Sequence, residues 1–161
     1  GWVRREEGHA DDGLGIVDLE VKLLQELRKI VERNGSIISL KIFLHPREKE
    51  RYNVSINRYK TILGNEITLH FSSINERSTR CFDQVKVGIG VYSTVLFERL
   101  LLGRKTLIYD GNNQFPMQNS KLNNIFCDNN NLQDQIFNGI KLDQTSFFVK
   151  NEIEYMRISD A

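Results

Sequence analysis

Val85-Lys86-Val87-Gly88-Ile89-Gly90-Val91-Tyr92-Ser93-Thr94-Val95-Leu96-Phe97-Glu98-Arg99-Leu100-Leu101-Leu102-Gly103-Arg104-Lys105-Thr106-Leu107-Ile108-Tyr109 is the stretch on which the fold turns. Residues 85–90 are short, β-branched and bounded by glycine, the pattern of a strand. Residues 93–102 make a strongly apolar helix that Gly103 stops. Residues 105–109 return to strand character and end at Asp110-Gly111. Strands joined through a helix run parallel, so this segment reads as one β-α-β unit.

The same alternation extends upstream. Ile16, Leu19, Leu23, Leu27 and Ile30 lay a stripe along a helix over residues 16–31, with Asp18 as expected N-cap and Asn34-Gly35 as stop. Residues 37–44 read as a buried strand, ended by His45-Pro46 because proline cannot continue a ladder. A weaker helix over 52–63 closes at Gly64-Asn65. Residues 66–71 alternate like a strand, and 74–83 suit a short helix. Downstream, residues 111–124 are rich in Asn and Gln and read as a surface loop. A last short strand is expected at 125–127 and helices at 132–140 and 150–158. The pattern predicts an α/β, Rossmann-like, doubly wound and mainly parallel sheet with helices on both faces. The expected organisation is a single nucleotide-binding domain over residues 1–161. Its first clear element is a helix, so residues 1–15 read as a loop after a missing first strand, in a fragment of a longer two-domain protein.

Composition narrows the function. The chain has 161 residues, 40% of them hydrophobic and 27% charged, with 22 Lys and Arg against 21 Asp and Glu. A net charge of +1 gives no electrostatic footprint for nucleic acid, and none is expected as partner. No apolar run approaches the roughly 20 residues of a membrane span, and no apolar stretch follows the charged start as in a signal peptide. Cys81 and Cys127 form no CxxC pair and no disulfide framework, which suits a reducing compartment. The expected location is therefore the cytoplasm.

In open α/β sheets, ligands bind beyond the carboxyl ends of the strands. Three segments stand there: His45-Pro46-Arg47-Glu48, Gly88 through Thr94, and Asp110-Gly111-Asn112-Asn113. Gly88 and Gly90 are expected to let the backbone turn and a ligand approach. Ser93 and Thr94 stand at a helix N-terminus, where amides and dipole favour a phosphate. Glu98, one turn on, is placed to accept from ribose hydroxyls. The structural alternative is that Ser93 only caps the helix. His45 reads either as a hydrogen-bonded strand-end residue or as an imidazole reaching a phosphate. Arg47, His9 and His70 carry no argued site, Tyr92 and Phe97 read as packing residues, and Glu152 and Glu154 as a solvated face. GxGxxG is incomplete because Ser93 takes its last position, which disfavours a nicotinamide cofactor. No GxxxxGK[ST], HExxH, GxSxG, D-x-D or zinc-spaced His/Cys cluster occurs, so no metal and no cofactor is expected.

Leu40-Lys41-Ile42-Phe43-Leu44-His45-Pro46-Arg47-Glu48, then residues 87–98, then residues 100–110, together resemble the donor-binding, C-terminal half of GT-B glycosyltransferases. The likeness covers roughly residues 40–110. It is greatest to the enzymes of bacterial surface-polysaccharide synthesis with an HP and a Ser-Ser/Thr motif. These include bacterial sialyl- and polysialyltransferases, Kdo transferases and CDP-glycerol glycerophosphotransferases. The resemblance implies a metal-independent glycosyltransferase of capsule or surface polysaccharide. Within it His45, beside Pro46, contacts the donor phosphate and assists departure of the nucleotide. Ser93 and Thr94, after Gly90, hold that phosphate, and Glu98 meets the ribose or nucleotide. The implied partners are a nucleotide-sugar donor, CMP- or CDP-linked before UDP-linked, a polysaccharide or lipid-linked acceptor, and an N-terminal acceptor domain. The catalytic base belongs to that other domain, and the full-length protein is expected at the inner face of the membrane. Val91 stands where the glycerophosphotransferases often carry an acidic residue before Tyr-Ser-Ser. Two other readings remain: a UDP-sugar epimerase-type domain, and a non-catalytic α/β interaction domain in which Ser93 merely caps.

Overall fold

The computed structural model describes residues 3, 6, 15–111 and 122–153. The chain divides into two compact units, Gly1–Cys81 and Phe82–Ala161. Both are built of short parallel strands and helices, a mixed α/β arrangement compatible with a Rossmann-like fold.

In the first unit, α1 (Ile16–Asn34) buries Leu19, Leu23, Leu27, Ile30 and Val31 on one stripe, as its spacing dictates. Its N-cap is Gly15, in the left-handed region, and Asp18 instead lies in the first turn, where its charge suits the helix dipole. Gly35 at φ +53° ends the helix. A 3-10 turn, Gly35–Ile37, takes up the start of the expected strand, so β1 spans only Leu40–Ile42. The short helix α2 (Pro46–Glu50) and then α3 (Tyr52–Leu63) lead to β2 (Leu69–Phe71), which pairs with β1 in parallel. Helices α1 and α3 pack on each other.

In the second unit the order is β3 (Gly88–Gly90), α4 (Thr94–Leu101), β4 (Thr106–Tyr109), β5 (Phe126–Cys127), α5 (Leu132–Lys141) and α6 (Gln144–Lys150). Strands β3, β4 and β5 form a parallel sheet with β4 in the middle. With neighbours on both sides and α4 and α5 against it, β4 is buried at every residue. Leu96 of α4 joins Ile108 and Ile125 in the core, with Phe97, Leu100, Leu122, Phe126 and Ile153 around them.

Several boundaries differ from the sequence reading. The helix expected at 74–83 is a 3-10 helix, Ser78–Gln84. The last expected helix, 150–158, gives way to α6, which ends at Lys150 and is followed by a turn. Its cap, Asp143, accepts from the Ser146 amide and fixes a start that apolar spacing did not mark. Residues 154–158 and most of the 111–124 loop lie outside the described residues; of the expected 1–15 loop only Val3, Glu6 and Gly15 are described, and Val3 and Glu6 are helical rather than loop. No helix among the described residues is long and apolar enough to cross a membrane.

Candidate functional site

The first unit presents His45 at the end of β1's extended run. Leu44 is fully buried, and its amide donates to Ser72 Oγ at 3.0 Å, which fixes the chain just before the histidine. Pro46 then occupies the first turn of α2, where its missing N–H costs nothing. His45 caps that helix: Nδ1 accepts from the Arg47 amide at 3.2 Å, while Glu48 Oε2 accepts from the His45 amide at 2.8 Å. This is a capping box with histidine in the serine role. With Nδ1 accepting, the ring proton sits on Nε2 of an exposed residue. Glu48 is buried and also accepts from Tyr59 Oη at 3.0 Å. Burial, followed by the charge of Glu48, pushes the Tyr59 phenol far above its ordinary range. Pro46 and Arg47 are exposed.

The second unit presents Ser93, Thr94 and Glu98 on one helix. Ser93 sits at the N-cap of α4 in extended backbone, and its carbonyl accepts from the Leu96 amide at 3.0 Å. Its side chain makes no cap hydrogen bond. The hydroxyl is therefore not spent on the amides of α4's first turn, of which that of Leu96 already donates to the Ser93 carbonyl. Ser93, Thr94 and Glu98 are all exposed, and Glu98 lies one turn beyond Thr94. Tyr92, also exposed, meets the ring of Phe97 edge-on at 5.9 Å between centroids, in keeping with a packing role.

Gly88 and Gly90 do something other than the sequence suggested. Both are strand residues, and neither has positive φ. A Cβ on Gly90 would stand 3.3 Å from Leu96 Cδ1, and one on Gly88 would stand 2.6 Å from Arg99 Cδ. The room they leave is filled by α4's own side chains rather than left for a ligand.

Arg99 was not singled out by sequence. It is buried to 3% exposure and donates to the carbonyls of Phe82 (2.6 Å), Val85 (3.1 Å) and Lys105 (3.3 Å). Its guanidinium also lies over the Phe82 ring. Burial and then nearby Arg104 pull its pKa down to about 10. No local signal marks it: Arg99 lies three residues after Leu96, but its fit against Gly88 arises only from the packing of α4 on β3.

The cysteines are both free and buried. Cys127 Sγ donates to the Ile108 carbonyl at 3.4 Å, and burial pushes its thiol up to about 12. Cys81 Sγ donates to Glu76 Oε1 at 2.8 Å, an oxygen that also accepts from Lys41 Nζ at 3.3 Å. Asp110 is buried beyond β4, with its amide donating to the Cys127 carbonyl. Asn112, Asn113, His9 and Glu154 lie outside the described residues. His70 is exposed on β2, and exposed Glu152 accepts from Asn124 Nδ2 at 3.3 Å. Among the described residues, no group of three or more His, Cys, Asp or Glu is placed to hold a metal ion. An open groove of about 490 Å³ runs along α1 and α3, lined by Gln25, Arg28, Lys29, Glu32, Thr61 and Ile62. Two ion pairs, Arg28–Glu32 and Lys29–Glu26, occupy its rim.

Comparison with protein-family models, with curated proteins and with solved structures finds no match to this chain.

Proposed function

We propose that this chain binds the nucleotide of a nucleotide-sugar donor, as the donor domain of a metal-independent bacterial glycosyltransferase that builds capsule or surface polysaccharide. The observation that carries the reading is the state of Ser93. It holds the N-cap of α4 without spending its hydroxyl on the helix, beside exposed Thr94 and a turn before exposed Glu98. A phosphate placed there meets two hydroxyls, the first amides of α4 and the positive end of its dipole. Glu98 then stands one turn along, a carboxylate suited to ribose hydroxyls. On this reading the fold is the doubly wound GT-B donor domain, and the acceptor, the catalytic base and an N-terminal acceptor domain lie outside this chain. Gly90 contributes by admitting Leu96 and so seating α4, rather than by touching the nucleotide.

His45 is the second element of the reading. Its Nδ1 is committed to the cap of α2, so Nε2–H is the atom that would donate to a departing phosphate. Cytidine nucleotides are preferred to uridine ones, following the HP and Ser-Thr segments, and cytoplasmic action at the membrane's inner face accords with a polysaccharide acceptor. The test is a calorimetric panel of CMP, CDP, UDP, GDP and NAD. Selective binding of a cytidine nucleotide supports the assignment. Binding of UDP alone supports the epimerase-type reading, and binding of none contradicts both.

A further inference from the structure

Glu48 is a buried charged side chain that the nucleotide reading leaves without a task. Burying a carboxylate is costly unless its oxygens are hydrogen-bonded, and here both are committed. Oε1 accepts from Tyr59 Oη at 3.0 Å, and Oε2 accepts from the His45 amide at 2.8 Å. Burial, and then the Glu48 charge, keep the Tyr59 phenol protonated, so it stays a donor.

Helix α3 grips Glu48 twice. Ser55, fully buried, donates from Oγ to the Glu48 carbonyl at 2.8 Å. Tyr59 follows four residues later, on the same face of α3, and takes the carboxylate. Glu48 is thus tied by main chain and side chain to α3, and it passes that hold to the backbone of one exposed residue, His45.

Capping alone does not require a histidine. Serine, aspartate or asparagine caps a helix better, and what an imidazole adds is a second nitrogen. Nδ1 is spent on the Arg47 amide, so the neutral ring carries its proton on Nε2, the nitrogen the cap does not use. The neighbours of His45 are fixed as well. Leu44 is fully buried, with its amide bound to Ser72 Oγ, and Pro46 has a locked φ. With the main chain and Nδ1 both held, the direction of Nε2–H is set.

We propose that Glu48 and Tyr59 are positioning residues that hold the His45 imidazole in one tautomer and one orientation, with Nε2–H as its donor. That the acceptor is a donor-nucleotide phosphate rests on the nucleotide reading. The test records the His45 ring nitrogens by NMR at mildly alkaline pH, in the full chain and in Glu48→Ala, Glu48→Gln and Tyr59→Phe. Glutamine keeps both contacts, since its carbonyl accepts from the His45 amide and its NH2 donates to Tyr59 Oη. The wild type and Glu48→Gln should show one tautomer, protonated on Nε2. Glu48→Ala should move the ring signals toward the tautomer mixture of an unrestrained histidine. Tyr59→Phe, which removes only a hydroxyl, should move them the same way by less, and it decides the matter if Glu48→Ala does not fold. Ring signals unchanged in both, or changed alike by Glu48→Gln and Glu48→Ala, would overturn the proposal. CMP titrations of the same proteins test the acceptor separately. Binding about tenfold weaker in Glu48→Ala but near wild type in Glu48→Gln supports a phosphate at Nε2. Ring signals that respond as expected while no protein binds CMP would uphold the positioning and remove the nucleotide.

Discussion

Gly88 and Arg99 share one volume: the Arg99 side chain lies where a Gly88 side chain would be, with a built Cβ only 2.6 Å from Arg99 Cδ. This fit lets a buried guanidinium reach three carbonyls, those of Phe82, Val85 and Lys105, and tie α4 to the segments on either side of β3.

Gly88→Ala therefore pushes Arg99 off its carbonyls, an overpacking cost of about 1–3 kcal/mol. Arg99→Met removes the same donors while keeping much of the volume, and leaves buried carbonyls unsatisfied at about 1–3 kcal/mol. Because both act on one interaction, the double variant should lose clearly less than the sum of the singles. Urea unfolding of the four proteins measures this, and simple additivity would break the link.

His45 has a cap to lose as well as an imidazole. His45→Ala should cost about 1 kcal/mol, whereas His45→Asn keeps an acceptor for the Arg47 amide and stays near wild-type stability. The pair separates packing from chemistry: nucleotide affinity should fall in both, stability only in the alanine variant. Affinity intact in His45→Asn would remove the imidazole from the donor site.

Asp143 supplies the acid-sensitive contact of α6. Its carboxylate accepts from the Ser146 hydroxyl at 2.6 Å and amide at 2.8 Å, which holds its pKa below the ordinary 3.8. A carboxyl depressed in the folded state stabilises fully above its unfolded value and loses that contribution as pH falls through the folded one. The loss accordingly begins near 3.8 and completes below it. Asp143→Asn still caps but does not titrate, so backbone NMR shifts of residues 144–150 should lose this acid transition.

The cysteines should be silent in the native protein. Burial raises both thiols, Cys127 to about 12, so neither is a thiolate at mildly alkaline pH. Iodoacetamide followed by mass spectrometry should label neither until denaturant is added. Rapid native labelling of Cys81 would mean that its contact with Glu76 opens.

Much of this was legible in the sequence, for physical reasons. The full extent of α3 is legible because Gly64, at φ +88°, ends it where the apolar spacing ends. The strands were located but read too long, since β-branched residues such as Ile37 and Ile38 favour extension while only hydrogen-bonded partners define a strand. The cap of α6 was missed because Asp143 follows α5 almost directly, and an apolar pattern does not resolve two helices so close. The helix start at Ser93 and Thr94 is legible. The roles of Gly88 and Gly90 are not, because glycine marks close approach without naming what approaches. That Arg99 fills the space depends on tertiary packing which no local pattern encodes.

The most direct test of the nucleotide reading is a calorimetric titration of CMP into the wild-type chain and into Ser93→Ala, with unfolding of both followed in parallel. Ser93 makes no side-chain cap bond, so the substitution should leave stability within about 0.5 kcal/mol of wild type. Loss of a charge-assisted contact should weaken CMP binding by about tenfold, or 1–2 kcal/mol. Equal CMP affinity in the two proteins, or no CMP binding by the wild type, would contradict the assignment of the α4 N-terminus as a donor-phosphate site.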